Sequence, residues 1–337
     1  MVKTGGIVIA VIIAVGILIG GYFWLSHEKP QKYTEPVEKV TIAVGAMTDS
    51  APVYIALEKE YFKNEGLDVA VQIHSSGKSA LNAVKEGKAN MATVAETPIV
   101  HSVLKGEKIT IIATIEKTEK SNGIVARKDR GISTFGDLEG KKIGVTLGTN
   151  GEFFLDVFIT ASGISRKDLE YINLKPDEMF DALVNGEVDA VSSWNPYILN
   201  LRKELGDNGL TSYGGGIYTL FWNLAGTQDF VNKNPEIARK VLRSLIKANE
   251  FIKENPDESQ KITSDSMDLD SASVSELWDI HEFEVTLDQT LVLALEDEAR
   301  WAIRSKHTDE TEVPDYLNYI YIDALDEVKP EAVGIID

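Results

Sequence analysis

Glu96 and Trp194 carry the sharpest chemistry in this chain, because they occupy matching elbows of two similar segments. An acid facing a large aromatic across a gap holds a flat or cationic organic molecule, the acid by charge and the ring by its electron-rich face. Phe153, Tyr218 and Trp222 could extend the aromatic wall. Asp49 and Glu152 add two further acids at neighbouring loops, so the set tilts toward an organic ligand with a donor or cationic group over a bare inorganic anion. Thr48, Ser50, Ser75, Ser76 and Gly77, with Gly148, Thr149, Asn150 and Gly151, lie beside helix starts, where side-chain hydroxyls and backbone N–H groups can hold an oxyanion or a polar edge. For Asp49, Ser50 and Ser76, helix capping is an equally good reading. Thr97 and Asn195 follow Glu96 and Trp194 and complete the two elbows.

Reacting groups are not arranged for catalysis. His27, His74, His101, His281 and His307 form no HExxH or comparable pair. His281-Glu282-Phe283-Glu284 lacks metal-ligand spacing and reads as helix-end surface. No Gly-x-Ser-x-Gly elbow occurs. The 148–151 loop is followed by no Gly-Lys-Ser/Thr, and its glycines miss the dinucleotide spacing. The chain has no cysteine, which excludes disulfides, thiolate metal sites and thiol nucleophiles. No metal or cofactor is therefore expected.

The elements that position these residues repeat. Residues 82–100 and 181–199 share one plan: a helix stopped at Gly87 or Gly186, Asn90 or Asp189 three residues later, a short strand, an elbow, then Pro98 or Pro196 opening the next helix. Both copies put a helix start just past the carboxyl end of a strand, where open α/β sheets bind ligands. Strands are expected at 40–44, 67–73, 91–94 and 109–115, with a helix over 51–64. Residues 121–127 read as a crossover into a second set, with strands at 141–145, 169–174, 190–193 and 210–213 and a helix at 152–161. Gly214-Gly215-Gly216 breaks the chain before a return strand at 218–224. Helices are then expected at 235–254, 257–267, 271–281, 288–307 and 315–328; Val241, Leu242, Leu245, Ile246 and Phe251 mark one buried stripe, and Trp278 and Trp301 read as packing residues.

The 337 residues suffice for two domains, and a hydrophobic content of 43% can build real cores. A net charge of −19 argues against a nucleic-acid partner. Residues 5–25 are uncharged and span about 31 Å as a helix, enough to cross a bilayer. They read as a retained anchor or a cleaved signal. The bulky Trp24-Leu25-Ser26-His27 gives no small-x-small cleavage site and favours the anchor. Either way the globular part is exported.

Residues 49–68, the paired Gly-x-x-Asn/Asp units, the 138–145 strand and the 148–151 loop together resemble nitrate/sulfonate/taurine-type substrate-binding proteins of ABC transporters, a superfamily that includes thiamine-pyrimidine binders. The resemblance covers roughly residues 38–305 and is not specific to a ligand. It implies an α/β, two-lobed periplasmic-binding-protein fold of type II (Venus flytrap). The residue pattern adds a helical C-terminal section and one preceding transmembrane helix, the latter a departure from bacterial members of the family, which usually carry a cleaved signal or a lipidated cysteine. The expected division is an anchor or signal at 1–25, a linker at 26–38, lobe 1 at 39–122 and 219–330, and lobe 2 at 123–218. The resemblance also implies that the loops at 48–50, 75–77, 96–97, 149–151 and 194–195 line the cleft. A monomer delivering a small ligand to a membrane permease driven by a cytoplasmic ATPase is the leading expectation. A membrane-tethered sensor, or an enzyme on the same fold, is the alternative; the pyrimidine synthases of this superfamily use cysteines that this chain lacks.

Overall fold

β1 (Glu38–Gly45) is buried on both faces over its last four residues, the pattern of a strand end covered on either side of a parallel sheet. A computed structural model describes residues 37–336. After β1 come β2 (Leu67–His74), β3 (Met91–Ala95) and β4 (Ile109–Thr118). The chain crosses over at 119–121 and builds β5 (Asn122–Arg127), β6 (Lys142–Val145), β7 (Glu170–Asn173), β8 (Ala190–Trp194) and β9 (Gly209–Ser212). It returns through 213–219 as β10 (Leu220–Thr227). Two five-stranded sheets result, ordered β2-β1-β3-β10-β4 and β7-β6-β8-β5-β9. In the first, β10 runs antiparallel between β3 and β4; in the second, β5 runs antiparallel between β8 and β9. Each sheet thus receives one strand from the far side of a crossover, and the two crossovers tie the lobes together.

The C-terminal helices belong to the first sheet. Helix Pro235–Glu254 packs on helix Ala51–Glu58 and buries Val241, Leu242 and Leu245, with Ile246 and Phe251 half-buried beside them. Helix Gln289–Arg304 lies on helix Glu96–Leu104. Bonds also cross between the lobes. Lys78 Nζ donates to the Leu147 carbonyl (2.6 Å), Trp301 Nε1 to Asp156 Oδ2 (2.7 Å) and Lys203 Nζ to Ser273 Oγ (2.9 Å), and Arg202 pairs with Glu276. The lobes are drawn together.

Several local expectations change. The helix expected over 51–64 breaks at Glu60, whose backbone is left-handed (φ 56°), and Phe62 on the short second helix is buried. Helix Glu96–Leu104 starts at Glu96 and not at Pro98; a proline in the first turn removes an N–H that has no partner there. In the second copy Trp194 ends β8, the Asn195–Pro196 bond is cis, and the helix begins at Tyr197, so the two elbows differ in shape. The helix from 271 stops at Trp278. The helix expected at 315–328 splits because Ile320 and Tyr321 pair with Ile111 of β4, leaving a short 3-10 helix at Tyr316–Tyr319 and an α-helix at Ile322–Val328. Among the described residues no helix is long and apolar enough to cross a membrane. The apolar segment at 5–25, and the tether up to residue 36, lie outside the described residues.

Gly77 is required by packing. A Cβ there would meet Trp222 Cη2 at 2.8 Å and the Val94 backbone at 2.9 Å. Gly77→Ala should cost about 1–3 kcal/mol of stability through overpacking, measured by urea denaturation; an unchanged midpoint would contradict the close approach.

Candidate functional site

The second lobe contributes polar groups that the fold buries and leaves unused. Thr149 caps helix Asn150–Ala161, accepting from the Gly151 N–H at 3.2 Å. Asn150 Nδ2 donates to Asn122 Oδ1 (2.9 Å), while Asn122 Nδ2 has no partner. Asn122 stands opposite Trp194 across the β5–β8 ladder. Trp194 is 2% exposed, packs edge-on against Tyr197 and leaves its Nε1 donor unbonded. Asn195 donates to the Lys120 carbonyl, and its own Oδ1 is unbonded, as is the Ser193 hydroxyl. A buried polar group without a partner costs roughly 1–3 kcal/mol, so so many in one place signal something missing.

Across from them lies Asp49, wholly buried beside Ser121 of the crossover, with neither carboxylate oxygen bonded. Its neighbours were not foreseen. Glu116 of β4 and His281 are bonded to each other (Oε1 to Nδ1, 2.8 Å), and His281 Nε2 meets Thr48 Oγ1 at 2.7 Å. His281, expected at the surface, has a fully buried side chain. The loop after helix Ser271–Trp278 turns back onto β4, where Glu282 pairs with Lys117, and this carries His281 inward.

Glu96 faces into the first lobe. Tyr218 OH donates to its Oε1 at 2.5 Å and the Phe221 N–H to its Oε2 at 3.1 Å. Phe153 rests edge-on against Tyr218. Glu298, buried next to Glu96 and Thr97, has no hydrogen bond on either oxygen, and the Thr97 hydroxyl has none either. Burial, and then the charge of Glu96, hold Glu298 and Glu116 well above the ordinary carboxyl range. Burial raises Glu96 too, against the bond from Tyr218. Burial, and then Glu116, push Asp49 up to about 7.

The remaining expected residues are already occupied. Ser50 Oγ accepts from Trp222 Nε1 (3.0 Å) and donates to the Gly45 carbonyl, so both side chains are structural here. Ser76 caps helix Gly77–Lys85, and Ser75 is exposed, its carbonyl accepting from Tyr197 OH. Glu152 binds the Gly148 N–H (2.7 Å) and Arg166 (2.6 Å). The structure therefore gathers Asp49, Asn150, Trp194 and Asn195 around the crossover, and Glu96, Thr97 and Tyr218 beside Glu298. Glu116, Asn122, His281 and Glu298 are additions. They carry no local signal, because their partners come from distant strands and loops.

The sequence profile described as NMT1/THI5 like matches residues 47–259. The chain belongs to the NMT1/THI5-like family. Among its relatives is a Bacillus subtilis (strain 168) protein carrying the inferred name of an aliphatic sulfonates-binding protein, 29% identical over 83% of this chain and 86% of that one. The taurine-binding periplasmic protein of Escherichia coli (strain K12) is 25% identical over 65% of this chain and 69% of its own. The alkanesulfonate-binding protein of Xanthomonas axonopodis pv. citri, solved bound to MOPS, superposes with a TM-score of 0.75 at 17% identity, covering 86% of this chain and 99% of that one. This NMT1/THI5-like chain thus has the two-lobed periplasmic-binding-protein fold.

The acids make a pH prediction. Asp49 binds its proton more tightly folded (about 7) than at its ordinary 3.8. Its contribution to stability is full below about pH 4 and is lost as pH rises through about 7. Glu96 acts in the same direction. In chelator-treated protein without ligand, the thermal midpoint should be lower at pH 8 than at pH 5.5, and Asp49→Asn should narrow the difference. A flat profile would contradict the burial of uncompensated carboxyls.

Proposed function

We propose that this chain is the extracytoplasmic substrate-binding component of an ABC importer, anchored by residues 5–25 and passing its ligand to a membrane permease served by a cytoplasmic ATPase. The observation that carries the reading is the set of buried, unbonded groups contributed by both lobes: Asp49 from the first, with Asn122 Nδ2, Trp194 Nε1 and Asn195 Oδ1 from the second. A ligand that satisfies both halves at once is bound only when the lobes meet, so binding favours the closed arrangement. The relatives named as binding proteins support capture without chemical change.

The ligand class follows from charge. Asp49, Glu96, Glu116 and Glu298 are buried together, and the residues expected to line the cleft include no lysine or arginine. A bare oxyanion beside these acids would meet only acids and neutral groups, the lysines between the lobes (Lys78, Lys85 and Lys105) lining a different pocket with Leu147 and Gly148. An organic molecule bearing an amino group, such as taurine or an aminopyrimidine, supplies donors that these carboxyls accept.

Calorimetric titration of the purified chain with taurine, ethanesulfonate, an aminopyrimidine and nitrate tests the reading. Saturable binding of an amino-bearing compound is expected. Trp194→Phe should weaken it about tenfold, the effect of roughly one lost hydrogen bond, and, since Trp194 is buried, should also lower the thermal midpoint of the free protein. Binding of nitrate or ethanesulfonate alone would overturn the ligand class.

A further inference from the structure

We propose that Asp49, Glu116 and His281 form a binding site for one divalent first-row transition-metal ion, Zn²⁺ or Mn²⁺. Each side chain offers a ligand atom, and these atoms lie within 4.8 Å of one another. They come from three separate parts of the first lobe: the turn before helix Ala51–Glu58, β4, and the loop after helix Ser271–Trp278. The second lobe supplies none of them, so the site stands whether or not the lobes close.

Their bonding is incomplete in the way a cation would complete it. Asp49 is wholly buried with both oxygens unbonded, and Glu116 Oε2 is unbonded as well. The charged groups felt most strongly by Glu116 are two more acids, Glu96 and Glu282. Two carboxylates without a counter-ion in the interior are costly, and a divalent ion offsets both charges. Oxygen and imidazole donors together suit zinc or manganese. Thr48 Oγ1 occupies Nε2 of His281, as an orienting partner does for a metal-bound imidazole, which leaves Nδ1 turned toward Glu116. Nδ1 and Glu116 Oε1 are 2.8 Å apart; adjacent ligands on an ion with bonds of about 2.1 Å stand roughly 3.0 Å (octahedral) to 3.4 Å (tetrahedral) apart, so opening by a few tenths of an ångström admits it.

The experiment needs no organic ligand, so its failure is distinguishable from failure of the transport reading. Full-length protein is stripped with chelator and titrated with Zn²⁺ and Mn²⁺ by equilibrium dialysis with elemental analysis at pH 7.5. One equivalent is expected, with a raised thermal midpoint. Glu116→Gln and Asp49→Asn, which keep side-chain size, should each weaken binding at least tenfold; His307→Gln should not. Anomalous diffraction from metal-soaked crystals avoids variants altogether, and its peak should lie within bonding distance of all three side chains. No uptake by the unaltered protein, undiminished uptake in both variants, or a peak elsewhere would each overturn the proposal.

Discussion

Four carboxyl groups share one buried neighbourhood in the first lobe, and the fold must meet the cost of their charge. Asp49, Glu96, Glu116 and Glu298 are each at most 1% exposed. Desolvation favours their protonated forms, and their mutual repulsion reinforces it. Only Glu96 has both oxygens bonded, through Tyr218 and Phe221. The fold tolerates the others because the sheets and helices around them are well packed, with Val44, Ile111 and Leu245 fully buried. Held in this way, the acids form a buried cluster of strong acceptors.

The crossover passes beside this cluster, where Ser121 lies against Asp49. The second lobe carries neutral donors and acceptors without partners, on Asn122, Trp194 and Asn195. Both lobes are left with unsatisfied buried groups. Helix Gln289–Arg304 and the helices before it reach past their own lobe to Asp156, Arg202 and Lys203, and these contacts define the closed arrangement without touching the interior groups.

Much of this was legible along the chain. The stripe of Val241, Leu242 and Leu245 gave helix 235–254 at its observed limits, because a 3.6-residue period is a local property. The strands of the repeated unit were equally plain. The elbows were not: a cis peptide before Pro196, and Glu96 inside a helix's first turn, are set by tertiary fit. His281 shows the limit most clearly. Its partners are 165 and 233 residues away, so its neighbourhood reads as an ordinary helix end. The split of residues 315–328 has the same origin, since β4 claims Ile320 and Tyr321 for pairing.

With polar groups of both lobes left unsatisfied, the proposed function requires a ligand to hold the lobes together. Because the chain contains no cysteine, Lys63→Cys on the first lobe and Lys167→Cys on the second permit clean double labelling for single-molecule energy transfer. In dialysed, ligand-free protein the interlobe distance should be predominantly longer than in the structure. A single population already at the closed distance would contradict the account.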